Sequence, residues 1–299
     1  MKISKRDTYT TNLYPAIHTL SGEAEQVNCD VTKNEKIVKT CRKQYKKDSE
    51  CYWLQLNPNK TVPNSMIKTY SEFKGVLDET LLNIEAENFR ITRADMSFNS
   101  DETSDYELFK KLNRLLICCI AEAFNITNCY NSFDLWTDKS LSIAIKDDKI
   151  EAENYNKELE AHGTTEAKNR LELRSKKMTF SLEEEFLGNW FNRLDLAVKK
   201  FEEVQKHYNR ELVKIWKTDQ SKEKKEKEFI SMTAFVIRYK DCIFTRQQLT
   251  ELFAQLGSEN PYRLAKRFKE KHSIEFFSLT DLKVVVKAIK DKMIEYFKN

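Results

Sequence analysis

Arg170-Leu171-Glu172-Leu173-Arg174 alternates strictly between charged and apolar residues. A period of two puts Leu171 and Leu173 on one side of a strand and Arg170, Glu172 and Arg174 on the other. Such a strand sits on a core with one face and leaves the other polar. That points to an antiparallel sheet rather than a buried parallel one. The stretch "FRITRADMSF" alternates as well, with Phe89, Ile91, Arg93, Asp95 and Ser97 sharing a face. It is followed by "DYELFKKLNRLLICCIAEAF", in which Leu108, Leu112, Leu115, Ile120 and Phe124 fall at helical spacing.

The remaining first half fits the same plan. "NLYPAIHTL", "CYWLQLN", "LSIAIKDD" and "KIEAENYNKEL" read as strands, "SEFKGVLDETLLNI" as a helix and "EAHGTTEAKN" as a turn. After Met178 the period changes. "TFSLEEEFLGNWFNRLDLAVKKFEEVQKHYNRELVKIW" reads as one long helix, opened by a capping box of Ser181 and Glu184. "KTDQSKEKKEKE" reads as a solvated helix extension or a linker. "TRQQLTELFAQLG" has Thr245 as N-cap and stops at Gly257, and "SENPYRLAKRFKEKH" has Ser258 as N-cap with Pro261 early. Two short helices around a tight turn form a candidate helix-turn-helix. The expected class is therefore α+β: a mostly antiparallel sheet with packed helices over residues 1–180, then a helical domain over 181–299.

Composition narrows the function. With 40% apolar and 11% aromatic residues the chain is not a disordered one. The 51 Lys+Arg against 47 Asp+Glu leave a net charge of +4, so placement of charge rather than its sum must decide the partner. "RLAKRFKEK" concentrates it: Arg263, Lys266, Arg267, Lys269 and Lys271 stand against one acid, Glu270. That face suits phosphate contacts, and equally a solvated amphipathic helix with Leu264, Ala265 and Phe268 inward. The seven cysteines are odd in number and form no CxxC pair, which reads as reduced thiols in a cytoplasm. The four histidines show no HxH or HxxxH spacing for zinc. The N-terminus has no apolar stretch of a signal peptide and no segment is apolar enough to span a membrane, so a soluble cytoplasmic protein is expected.

A carboxylate in a strand, such as Asp95 beside Arg93, is costly unless paired, hydrogen-bonded or bound to a cation. Glu172 sits between two arginines, and Glu158 and Glu160 follow Lys157. If the strands of Asp95 and Glu172 are close, these acids suit a hard divalent cation. They suit a polar sheet face with Arg–Glu cross-strand pairs as well.

The order "RADMSF", a long helix, "YNKELE", then "RLELR" resembles the trans-acting rolling-circle replication initiators of Gram-positive plasmids and phages, and the related relaxases of integrative elements. The resemblance covers residues 88–176 and blocks of the form R-x-D, Y-[DN]-K-x-x-E and R-[LVF]-E-[LI]. It implies an initiator that binds double- and single-stranded origin DNA and nicks one strand. A tyrosine hydroxyl would attack the phosphodiester with Mg²⁺ or Mn²⁺ as cofactor. On this pattern Asp95, Glu160 and Glu172 would hold the metal, and Tyr155 would attack with Lys157 beside it. Tyr208 is a second candidate nucleophile. Arg170, Arg174, Arg263, Lys266, Arg267 and Lys269 would bind DNA. A host helicase and a second copy of the chain are expected partners, and a membrane is not. The chain departs from the pattern at Asn99, where a second acid is common, and in the stretch "WTDKSLSIAI", which stands in place of a glycine-containing strand. A DNA-binding initiator or regulator without cleavage is the alternative. An interaction protein that meets no nucleic acid is a third reading.

Overall fold

In the computed structural model the described residues are 13–28, 37–46, 49–57, 67–100, 106–127, 142–156, 169–226, 231–272 and 274–299. The alternating stretches become β1 (Leu13–Ala24), β2 (Ile37–Lys46), β3 (Ser49–Leu56), β4 (Arg90–Ser100), β5 (Ser142–Lys146), β6 (Ile150–Asn156) and β7 (Asn169–Lys176). They form a seven-stranded sheet in the order β2-β3-β1-β4-β7-β6-β5, and every pairing is antiparallel. "RADMSF" and "RLELR" lie side by side at its centre, with Asp95 opposite Arg174, Ser97 opposite Glu172 and Asn99 opposite Arg170. On the far side of β7, Glu151 faces Arg174, Glu153 faces Glu172 and Tyr155 faces Arg170. β2 lies outside the stretches whose pattern marks a strand.

The ladder between β1 and β4 slips twice, once between Ile17 and Thr19 and again between Ser21 and Gly22. Glycine is needed at the second slip because the chain passes so close to β4. A Cβ at Gly22 would lie 2.4 Å from the Phe89 ring and 2.6 Å from the Arg90 carbonyl oxygen.

The helices are α1 (Tyr70–Asn83), α2 (Tyr106–Ala123), α3 (Phe191–Val198), α4 (Phe201–Glu226), α5 (Met232–Arg238), α6 (Arg246–Gln255), α7 (Pro261–His272) and α8 (Leu279–Lys298). α1 starts where Thr69 and Glu72 close a capping box. The second face of each central strand supplies the core. Ala94, Met96, Phe98, Leu171 and Leu173 are buried in one apolar cluster with Leu112, Leu115, Leu116 and Ile120 of α2. Val285, Ile289, Met293 and Tyr296 of α8 belong to that cluster too. α8 returns to β1, where the Tyr296 hydroxyl accepts from the Ile17 amide at 3.5 Å. The last helix of the chain thus packs on its first described strand, and residues on both sides of position 180 share one apolar cluster.

The single long helix expected from residue 179 is broken. Its first turn is capped as expected, with the Glu184 amide donating to Ser181 Oγ and the Ser181 amide to Glu184 Oε2. The stretch Glu184–Trp190 then widens into a π-helical turn, and the chain bends again at Lys199–Lys200 before α4. The cause of the widening is a buried polar knot. Glu185 accepts from Ser175 Oγ at 2.6 Å, Asn189 Nδ2 at 2.7 Å and Arg193 Nη1 at 2.5 Å. Trp190 Nε1 donates to the same Ser175 hydroxyl at 2.8 Å. The wide turn aims both Glu185 and Trp190 at one residue of β7.

Thr245 caps α6 as expected, accepting from the Gln248 amide. Ser258 does not cap α7. Its amide bonds the Phe253 carbonyl and the Gly257 amide bonds Ala254, which closes α6 in a Schellman motif with Gly257 at a φ of 95°. Asn260 takes the capping role, accepting from the Arg263 amide at 3.1 Å, and Pro261 is the first helical residue. α6 and α7 pack through Phe253 and Phe268, whose rings meet edge-on at 5.6 Å. Among the described residues no helix is long and apolar enough to cross a membrane.

Candidate functional site

Alternation sends Arg93, Asp95, Ser97 and Asn99 of β4 to the face opposite α2. Glu151, Glu153 and Tyr155 of β6 and Arg170, Glu172, Arg174 and Lys176 of β7 join them. Four carboxylates and four cations thus share one patch.

Arg174 is its hub. It donates to Glu172 Oε2 through Nε at 3.0 Å and again through Nη2. Nη2 also reaches Glu153 Oε2 at 2.6 Å, Nη1 binds Glu151 Oε1, and Nε lies 3.6 Å from Asp95 Oδ2. The outer cations complete the set. Arg93 grips Asp95 with two bonds of 2.8 Å, Lys176 binds Glu151 at 2.8 Å, and Arg170 lies 3.5 Å from Glu172 Oε1. Asp95 and Glu172 are each 3% exposed, so these pairs are desolvated rather than superficial.

The charges respond to this crowding. Burial pushes Glu172 up, but Arg174, His18 and Arg170 outweigh it and hold its carboxyl at about 2. Burial wins at Asp95, which is raised despite the Arg93 fork, and at Glu153, which is raised despite Arg174. At Glu151 the Lys176 and Arg174 contacts overcome burial and lower it. Arg174 is raised: Glu172, Glu153 and Asp95 more than offset its own burial.

Tyr155 stands at the edge of this network. Its hydroxyl donates to Glu172 Oε1 at 2.7 Å and accepts from Arg170 Nη1 at 3.4 Å. Arg170 Nε in turn donates to Asn99 Oδ1 at 2.6 Å. Burial and the Glu172 charge push the phenol well above its ordinary value.

The sheet therefore gathers Asp95, Glu172, Tyr155, Arg170 and Arg174 in one place. Lys157 and Glu160 lie outside the described residues. Tyr208 is not part of the cluster. It sits on α4, packed against the core, with its hydroxyl 3.1 Å from Cys118 Sγ of α2 and its ring edge-on to Phe244. The helical layer and the sheet separate it from Glu172, which corrects the expectation that Tyr208 could serve the same site. Glu151, Glu153, Lys176 and His18 were missed as members. The sequence carries a signal for three of them: "IEAENY" places Glu151 and Glu153 at a period of two with Tyr155. Lys176 carries on the alternation of "RLELR", whereas His18 gives no such signal, because it sits at a slip in the ladder.

The expected metal does not fit these side chains as they stand. Both oxygens of Asp95, of Glu172 and of Glu151 already face a guanidinium or an ammonium. Among the described residues no group of three or more His, Cys, Asp or Glu is set to hold a metal ion.

On α7, Tyr262, Arg263, Lys266, Arg267, Lys269 and Lys271 are exposed while Ala265 and Phe268 are buried. The inward and outward faces are as the spacing implies. The Arg246 guanidinium of α6 lies 4.6 Å over the Tyr262 ring and joins the basic surface to the neighbouring helix.

No protein-family model matches the chain, and no curated protein matches it. Three solved chains match by structure. One is the rolling circle replication initiator protein from Geobacillus stearothermophilus, at 12% identity and a TM-score of 0.31, over 55% of this chain and 74% of that one.

Proposed function

We propose that the chain acts on DNA as a replication initiator, cutting one strand by transesterification at the polar sheet face with Tyr155 as nucleophile. The observation that carries this reading is the 2.7 Å hydrogen bond from the Tyr155 hydroxyl to Glu172, with the Arg170 and Arg174 guanidiniums beside it. A nucleophile, a proton acceptor and two anion-stabilising groups are what phosphoryl transfer to a phenol needs.

Tyr155 Oη attacks the phosphorus and its proton passes to Glu172. The P–O3′ bond breaks, leaving a 5′-phosphotyrosine, and the departing 3′ oxygen takes up the proton. Glu172 is a weak base while the arginines hold it at about 2. An incoming phosphate competes for Arg170 and Arg174. Each guanidinium bond it draws away raises the basicity of Glu172 and meets charge building on the phosphorane. The exposed cations of α7 would hold the DNA backbone.

A second reading is binding without cleavage. It is favoured by the Arg170–Asn99 bond of 2.6 Å and by the completeness of the ion pairs, which make the face a stable polar layer. One experiment separates the two. Supercoiled DNA carrying the gene and its flanks is incubated with the protein, with Mg²⁺, with Mn²⁺ and with a chelator, and run with and without protease. Open circles with protein on a 5′ end that are lost in Tyr155→Phe support cleavage. Retarded but intact DNA supports binding alone, and cutting that survives Tyr155→Phe overturns the assignment of this tyrosine.

A further inference from the structure

Four carboxylates from three adjacent strands converge on a single guanidinium. The register makes this unavoidable: Arg174 lies between Asp95 on β4 and Glu151 on β6, and Glu172 and Glu153 are one row further along the same face. Hard divalent cations seek oxygens gathered in this way from separate elements. Here the gathering point is filled. Arg174 satisfies Glu172, Glu153 and Glu151 at once and lies near Asp95. Arg93, Lys176 and Arg170 balance what remains. With four positive and four negative side chains the patch is already neutral, and a divalent cation would have to displace these ion pairs to reach a carboxylate oxygen.

We propose that Arg174 occupies the position of a divalent cation, so that this sheet face is organised by an internal guanidinium and takes up no Mg²⁺ or Mn²⁺. Removing the guanidinium would uncover a metal site. A planar fork holds several carboxylates in fixed directions, as a metal would, but it cannot be lost to a chelator or exchanged. The inference concerns how the face is held together and stands whether or not Tyr155 cuts DNA.

The test uses the full chain and Mn²⁺ as probe, with free ion followed by electron paramagnetic resonance. The wild-type protein is expected to show no Mn²⁺ uptake that depends on Glu172, so wild type and Glu172→Gln should titrate alike. Arg174→Ala leaves four carboxylates around a vacancy with one cation fewer. It should bind one Mn²⁺ at least about tenfold more tightly than wild type, and Asp95→Asn in the same chain should abolish the gain. Its thermal midpoint should rise by on the order of 5 °C with millimolar Mn²⁺, while wild type stays unchanged. Stoichiometric uptake by wild type that Glu172→Gln removes would overturn the proposal. So would an Arg174→Ala chain that folds and binds no more Mn²⁺ than wild type. If Arg174→Ala does not fold, the comparison of wild type with Glu172→Gln still decides.

Discussion

Tyr155 and Glu172 meet on a diagonal of the β6–β7 ladder. Tyr155 pairs with Arg170 and Glu153 pairs with Glu172, yet the phenol leans across one row to donate a 2.7 Å bond to Glu172 Oε1. A neutral donor on a buried carboxylate contributes about 2 kcal/mol. Tyr155→Phe should lower the urea-unfolding free energy by about that amount. On the proposed mechanism it should also remove the covalent DNA adduct and leave DNA retardation intact.

The same carboxylate sets an acid limit on stability. Glu172 is held at about 2 against an ordinary 4.5, so the folded chain takes up this proton less readily than the unfolded one. Its contribution is complete above about pH 4.5 and fades as the pH falls toward 2. The span corresponds to roughly 3 kcal/mol. Asp95 and Glu153 are raised and act in the opposite sense, favouring the folded state as they gain protons. The signature of Glu172 is therefore a difference. Glu172→Gln should cost roughly 3–5 kcal/mol at pH 7 by leaving Arg174 and Arg170 underpaired. The gap from wild type should shrink steadily between pH 4.5 and 2 in parallel denaturation curves.

How much of this was legible follows from period and register. Strict alternation in "RLELR" and "RADMSF" is a local property, and it fixed which side chains of β4 and β7 face away from α2. That these strands are neighbours is not local, since Arg93 pairs with Lys176 and Ser100 with Asn169, and only the tertiary pairing shows it. The hub role of Arg174 depends on β4, β6 and β7 together. The charged pattern suggested a cation held by acids, and the cation found there is a side chain. The break in the long helix was hidden too, because Glu185 and Trp190 fit a helical pattern and only their shared partner Ser175 on β7 widens the turn. Ser258 was a reasonable cap by type, but the φ of Gly257 turns its amide back onto α6.

At Gly22 the constraint is space alone. The methyl group of Gly22→Ala would overlap the Phe89 ring and the Arg90 carbonyl at the slip in the β1–β4 ladder. The ring can shift, whereas the carbonyl belongs to the paired strand. A loss of about 1–3 kcal/mol is expected in chemical denaturation. Gly75 on α1 has nothing within 4 Å of the same virtual atom, and Gly75→Ala should be neutral or stabilising.

Gln248 holds the turn before α6 from inside. It is fully buried, its Oε1 accepts from the Phe244 amide at 2.7 Å, and its Nε2 donates to the Cys242 carbonyl at 2.8 Å. Gln248→Ala strips both backbone groups of their partner in an apolar surrounding, at a cost of roughly 2–4 kcal/mol. Gln248→Glu keeps the acceptor but loses the donor and buries a charge. It should be at least as damaging at pH 7 and partly recover in acid, which a thermal melt at two pH values would show.

The basic face of α7 gives the most direct test of a nucleic-acid partner. Arg263, Lys266 and Arg267 are exposed on the side away from Ala265 and Phe268, so neutralising them removes charge without opening the core. The triple change to Gln should alter folding stability by no more than about 0.5 kcal/mol. If each side chain neutralises one phosphate, the slope of log K against log salt should fall by about 0.9 per contact, near 3 for the three. The loss should be similar on specific and unrelated duplexes, because phosphate contacts position a protein without reading sequence. Fluorescence anisotropy at four or five salt concentrations measures both quantities. An unchanged slope in a folded variant would remove α7 from the DNA interface and leave the polar sheet face as the surface to test next.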